Sequence, residues 1–221
     1  MKEWRIEPPA LPSALEEEHQ LSSAVKEAVA SGDDLRGMAF RGQRLEAAKG
    51  GGLEFRECFF SKCVFQSLAL KRVSFVDCVL ESCDWSNLTL PEYVLRRVSF
   101  SHCRMTGVSF GKGSLRDTTF SHCMADYLSI GESKLARVLF KNCSMRESLF
   151  SQLELTEVAL EEDDLTSSQW VNAPMKGLDV TTCSINGLQA NAFDLRGIRV
   201  SPVQALTLCE LMGVEVAGSA E

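Results

Sequence analysis

No run of 18 apolar residues occurs in this 221-residue chain, so no segment is expected to cross a membrane as a helix. The opening residues, Met1-Lys-Glu-Trp-Arg-Ile-Glu-Pro-Pro, lack an apolar core followed by a small-residue cleavage site, and no secretory leader is expected. Nine cysteines are present, yet none forms the C-x-x-C pair from which zinc sites are built. A paired-carboxylate signature is missing too. Gly111-Lys112-Gly113-Ser114 carries fragments of a phosphate loop, without the GxxxxGK[ST] spacing or the helix that must follow. These absences leave no catalytic, cofactor or metal residue to assign, and a non-enzymatic protein is the expectation.

What is there is a beat of five. Of the 34 multiples of five from Leu35 to Val200, only Gly50 is not apolar, and ten of the 12 phenylalanines fall on the series. A helix turns about 100° per residue, so a spacing of five scatters such residues around its cylinder. A flat strand sends them to alternate faces, because five is odd. The pattern holds only if the backbone bends once per pentad, returning the same position to one interior. The position two residues earlier shares that side and carries small or medium groups: Cys58, Cys63, Val73, Cys78, Cys83, Val98, Cys103, Cys123, Val138 and Cys143 among them. Eight of the nine thiols lie there, which predicts reduced, buried hydrophobes and with them a cytoplasmic location.

A longer period closes the coil. Val98-Ser-Phe-Ser-His-Cys103, Thr118-Thr-Phe-Ser-His-Cys123 and Val138-Leu-Phe-Lys-Asn-Cys143 stand 20 residues apart, four pentads each. The expected fold is an all-β solenoid, a right-handed quadrilateral β-helix of about eight coils and roughly 40 Å, with coils about 4.8 Å apart.

The pattern resembles the pentapeptide-repeat family, whose motif is a small residue, Asp or Asn, Leu or Phe, and two variable residues. Asp33-Asp34-Leu35, Cys83-Asp84-Trp85, Leu178-Asp179-Val180 and Phe193-Asp194-Leu195 carry its acidic second position, while most pentads here replace it with Ser, Thr, Val, Lys or Arg. The resemblance covers about three quarters of the chain. It implies the fold and a C-terminal helical cap. Some members mimic duplex DNA and bind type II topoisomerases, conferring quinolone resistance, so DNA gyrase enters as an alternative partner.

Three regions are expected: an N-terminal arm and capping helix over 1–32, the β-helix over 33–200, and a C-terminal capping helix and tail over 201–221. The pair Ser13 and Glu16 reads as a capping box for a helix from about Ala14 to Ala30, stopped by Gly32, behind an irregular, Pro-punctuated stretch. Ser201-Pro202-x-Gln204 opens a second helix that ends at Gly213, with a short strand possible at Val214-Glu-Val216. Residues 46–52, with Gly50-Gly51-Gly52, are expected to bulge outward. Asp163 interrupts the cysteine column and should distort the coil locally or have its pKa raised by desolvation.

Charge supplies the candidate surface. The band Glu147 to Asp164 holds seven acids and no base, among them Glu147, Glu154, Glu157, Glu161, Glu162 and Asp164. Arg36, Arg56, Arg96, Arg116, Lys176 and Arg196 form a same-sign column, of which Arg96 and Arg116 are the members kept as candidates. The series Glu57, Asp77, Arg97, Asp117, Arg137, Glu157 and Arg72, Glu92, Lys112, Glu132 should be exposed ladders of about 0–1 kcal/mol per pair. Residues 33–200 carry 21 acids and 20 bases, so most of the chain's −7 charge lies outside the repeats. Near neutrality argues against a DNA mimic, and no direct nucleic-acid binding is expected. His102 and His122 should point to water while Cys103 and Cys123 point inward, which denies them a shared ion or a catalytic dyad. Phe59, Val79 and Leu139 line an outward apolar column suited to pairing two rods. The inside–outside assignment predicts that Phe120→Ala costs roughly 3–5 kcal/mol in urea denaturation, and Arg116→Ala under about 0.5. Equal losses would contradict it.

Overall fold

A computed structural model describes residues 4–46, 48–66, 68–211 and 213–214. The chain opens with β1 (Glu16–Glu17), α1 (Leu21–Ser31), β2 (Leu35–Arg36), β3 (Met38–Arg41), β4 (Arg44–Leu45), β5 (Ala48–Arg56), β6 (Phe59–Ser61) and β7 (Val64–Phe65). The long strands β8 (Leu68–Glu81), β9 (Thr89–Ser101), β10 (Ser109–Ser121), β11 (Ser129–Lys141) and β12 (Leu149–Glu161) follow. Short β13 (Gln169–Val171) and β14 (Gln189–Ala190) lead into α2 (Pro202–Leu211). Pairing is parallel throughout, and the register is the repeat itself: Leu95 lies beside Leu115, Leu115 beside Leu135, Leu135 beside Leu155. The result is a parallel β-solenoid of about nine turns. The expected count was about eight; β1, hydrogen-bonded beside Met38 and Ala39, adds a rung ahead of Leu35. Among the described residues no helix is long and apolar enough to cross a membrane.

The bend has one recurring form. Among the described residues, nineteen non-glycine residues from Glu57 to Asn172 have positive φ, and each lies two positions after an apolar centre. Gly37, Gly42, Gly107, Gly177, Gly187 and Gly197 occupy the same slot. A left-handed residue turns the chain through a corner, and at several corners an i to i+3 bond closes the turn, as from Leu88 N–H to the Trp85 carbonyl (3.0 Å). The family's acidic position supports the same bend. The Oδ1 atoms of Asp84, Asp164 and Asp179 accept the N–H two residues on, from Ser86, Thr166 and Thr181, at 2.9–3.0 Å.

Inside, the beat of five fills one shaft. Phe100, Phe120 and Phe140 stack at 4.8 and 4.7 Å with planes 6° apart, the spacing of the coils. Phe120 is 3% exposed and Arg116 is exposed, as the sequence assigns them. The eight repeat cysteines are free and buried. The Cys103 thiol donates to the carbonyls of Leu80 and Ser101 (both 3.4 Å), and the Cys143 thiol to those of Phe120 and Lys141 (both 3.5 Å). Burial pushes the Cys78 and Cys183 thiols up from their ordinary values.

Two inward positions break the pattern of small groups. Tyr93 is fully buried, and its hydroxyl donates to Ser133 Oγ two coils on (2.8 Å). Gly113, between them, leaves the space: a Cβ there would sit 2.5 Å from the Tyr93 ring and 2.3 Å from its carbonyl oxygen. Asp163 faces the shaft at 2% exposure without distorting the coil. Its Oδ1 accepts the Cys143 N–H (2.7 Å) and its Oδ2 that of Glu161 (3.1 Å), while Asp164 keeps its bridges to both neighbours. Of the two outcomes expected, the shifted pKa is the one realised: burial raises the carboxyl to about 7.

The ends depart from expectation. Ser13 and Glu16 form no capping box, because β1 takes Glu16 and Glu17 as strand; α1 therefore starts at Leu21, not Ala14. Its first N–H is capped from another coil, by Gln43 Oε1 accepting from Leu21 N (2.7 Å). Gly32 ends it in left-handed geometry, as expected. The triglycine does not bulge: β5 stays in register with β8 through Gly50 and Gly52. Val29 of α1 occupies the space that a side chain at Gly50 would need, with Cγ1 2.4 Å from where its Cβ would stand. At the other end the Ser201–Gln204 box forms reciprocally (2.8 and 3.3 Å). Gln204 Nε2 also donates to the Val180 and Cys183 carbonyls (2.7 and 2.8 Å), tying α2 over the last coils. Val214 is in no strand, and residues 215–216 of the expected strand lie outside the described residues.

Gly113→Val should cost about 1–3 kcal/mol in denaturant melts, whereas Gly51→Val, with nothing within 4 Å, should stay within about 0.5. Asp163 gives a pH signature. Its native carboxyl keeps a proton to about pH 7, while the ordinary value is 3.8, so the folded chain binds more protons between the two. That contribution is complete below pH 3.8 and disappears as pH rises through 7, a fall on the order of a few kcal/mol. Asp163→Cys, which restores the thiol column, should flatten the slope in this window; an unchanged slope would refute the assignment.

Candidate interaction surfaces

The acidic residues do not converge. Glu147, Glu157 and Glu162 occupy left-handed corners, Glu154 and Glu161 lie on β12, and Asp164 bridges Ser144 and Ser184. Spread over nearly one 20-residue coil, they form a belt around the shaft, not a patch. Several are already engaged. Glu154 pairs with Lys134 (3.0 Å), Glu161 with Lys141 (2.9 Å), and Glu147 accepts the Tyr127 hydroxyl (3.0 Å). Asp164 stands 4.0 Å from Arg146.

The arginine column is similarly divided. Arg96 and Arg116 are direct neighbours on β9 and β10 and exposed, Arg116 two coils and Arg96 three coils from the belt in their own column. Arg116 approaches Asp117 (3.6 Å), Arg36 forks onto Glu57 (2.8 and 3.0 Å), and Arg56 pairs with Glu54. Val76 and Ala136 occupy the positions flanking Arg96 and Arg116 in the stack, so the basic column is short.

One ladder is not the exposed feature the charge pattern suggests. Asp77 and Asp117 are 5% and 1% exposed. Arg97 forks onto Asp77 (2.6 and 2.5 Å) and Arg137 onto Asp117 (2.5 and 2.6 Å). What covers them is the N-terminal arm. The Glu7 N–H donates to Asp117 Oδ1 (3.2 Å) and the Ala10 N–H to Asp77 Oδ1 (3.0 Å). Trp4 lies farther along, in a depression with Val158, Ala159 and Leu160, and β1 finishes the run beside β3. The arm therefore descends the rod against the direction in which the coils climb. Burial alone would raise both carboxyls; the arginine and arm N–H hydrogen bonds outweigh it and hold them below the usual carboxylate range. Phe59, Val79 and Leu139 are half-buried, and Ala159 beside Trp4 continues their column.

His102 and His122 stack outside at 5.0 Å with rings 6° apart, while Cys103 and Cys123 turn into the shaft, so each thiol is directed away from the imidazole beside it in sequence. Gly111-Lys112-Gly113-Ser114 lies within β10. Met124 (50%), Tyr127 (56%) and Leu149 (37%) are exposed apolar residues of the repeat body, and the Tyr127 hydroxyl donates to Glu147. Met124 and Tyr127 lie off the beat of five, which is the signal that marks them as outward and available.

Two family models match: "Pentapeptide repeat region" over residues 93–170 and "Pentapeptide repeats (8 copies)" over residues 74–111. No curated protein matches the chain. Among solved structures, a trypsin-treated variant of QnrB1, a plasmid-mediated fluoroquinolone resistance protein, is similar at 16% identity, covering 83% of this chain and 100% of that one, with a TM-score of 0.36. Full-length QnrB1 gives 17% identity, 91% and 97% coverage, and 0.32. HetL, a pentapeptide repeat protein involved in heterocyst differentiation regulation from the cyanobacterium Nostoc, gives 13%, 78% and 92%, and 0.29. The matched models, the 20-residue register and the left-handed corner in successive pentads agree: residues 74–170 of this chain are a pentapeptide-repeat region.

Proposed function

We propose that this protein is a non-enzymatic interaction module that binds a protein partner through side chains held at fixed spacing on a rigid rod. The observation that carries the reading is the unbroken parallel register from β8 to β12, which sets outward positions about 4.8 Å apart along the axis. Such a ruler needs no cofactor and fits a cytoplasmic protein with eight reduced thiols in its shaft. Met124, Tyr127 and Leu149 give the contact an apolar centre, with Glu147 at its rim.

The alternative, a DNA mimic acting on DNA gyrase, has less support. Its acids form a belt partly neutralised by Lys134 and Lys141, on a repeat body close to neutral.

A photo-reactive residue placed at Tyr127 should cross-link a defined partner in source extracts, and Tyr127→Asp should cut that partner's recovery about 10-fold. The same label at Lys71, exposed elsewhere, should give none. Identical cross-links from both positions would contradict the patch. In a supercoiling assay, gyrase should be neither inhibited nor protected from quinolone at micromolar protein; either effect would favour the alternative.

A further inference from the structure

The arm is bound like a ligand. Asp77 and Asp117 lie two coils apart, roughly 9.6 Å along the axis. Glu7 and Ala10, whose N–H groups they accept, lie three residues apart across Pro8 and Pro9. A polyproline II segment advances about 9.3 Å in three residues and returns the same side of its backbone after those three. The prolines thus impose the one extended conformation whose period matches two coils. Continuing the ruler, Trp4 is three residues before Glu7 and lies beside Val158, where the next two-coil step falls.

The acceptors do not depend on the arm. Arg97 and Arg137 hold both carboxylates with paired hydrogen bonds from the rod itself. Arg97 also stands 3.9 Å from the Glu7 carboxylate, a cation suited to an acidic residue ahead of the prolines. The coils pair through their own backbones, so this stretch of arm can leave without breaking the stack.

We infer that the Asp77–Arg97–Asp117–Arg137 corner column is a preformed docking site for an extended, proline-containing segment of another protein, with an acidic residue before its prolines, and that the chain's own residues 4–10 are its resident competitor. This rests on the interaction-module reading and deepens it. The column is at a different corner from Tyr127, ten residues away along the 20-residue coil, so failure here leaves cross-linking at Tyr127 unaffected.

The test uses the full chain and its P8G/P9G variant, which alters only the arm. By amide hydrogen exchange, Glu7 and Ala10 should be protected in the unaltered chain and exchange at least about 10-fold faster in the variant, with the β10 and β11 amides unchanged. A synthetic peptide of residues 1–14 should bind the variant at least about 10-fold more tightly than the unaltered chain, whose tethered arm competes at an effective concentration near millimolar. The same peptide with both prolines changed to alanine should lose that binding, as should the variant carrying Asp77→Ala and Asp117→Ala. Unchanged arm protection in the variant, no peptide binding to it, or equal binding of the alanine peptide would overturn the inference. So would sedimentation showing dimers with exchanged arms, since the occupant would then be a second copy.

Discussion

The structure depends on a backbone that turns a corner in each pentad while leaving its amides paired with the coils above and below. A left-handed residue provides the corner. For a side chain larger than glycine that conformation costs on the order of 1 kcal/mol or more, and 19 of the described residues adopt it. What holds them is the stack: at these corners the N–H bonds a carbonyl of the next coil, as Glu57 to Val76, His102 to Ser121 and Asn142 to Glu161, at 2.8–2.9 Å. Each corner is thus fixed by a neighbour that is fixed in turn. This cooperativity is characteristic of solenoids, and it requires closed ends. α1 and α2 meet that need through side chains of the coils themselves, Gln43 at one end, and through Gln204 reaching back to them at the other.

The interior fits the geometry of the corner. Large groups on the beat of five meet at the axis, and the smaller flanking groups fill the space beside them. Thiols suit that second position because a thiol fits among aromatic rings and can still share its one proton between two carbonyls, as at Cys143. The exceptions are accommodated by neighbours along the axis. Tyr93 is matched by Gly113 and Ser133, and Asp163 by two N–H groups and a retained proton. A column of side chains one coil apart, more than a single site, is the unit within which substitutions compensate.

Legibility in the sequence followed the same division. Whatever the repeat dictates was readable: the Phe100–Phe120–Phe140 stack, the outward imidazoles, the inward thiols and the odd carboxyl at Asp163. The Ser201–Gln204 box was readable because it is local. Contacts between distant segments were not. Gly50 looks like a defect until Val29 is seen in its place, and Ser13 looks like a cap until β1 claims Glu16 for a strand. The candidate acids were correctly placed outside, but winding distributes neighbours in sequence around the rod, so a charge run becomes a belt. Asp77 and Asp117 looked exposed because nothing in the period reveals that Pro8 and Pro9 bring a second segment over them.

The single shaft requires that the chain advance by one coil spacing for each 20 residues. Genetically encoded spin labels at Lys62, paired in turn with His122, Asn142 and Glu162, test it without touching the nine native thiols. These positions share one corner of the rod, three, four and five coils apart. Dipolar spectroscopy should give separations near 14, 19 and 24 Å, rising in equal steps of about 4.8 Å. Distances that rise unevenly, or that fail to rise with coil number, would contradict the single shaft.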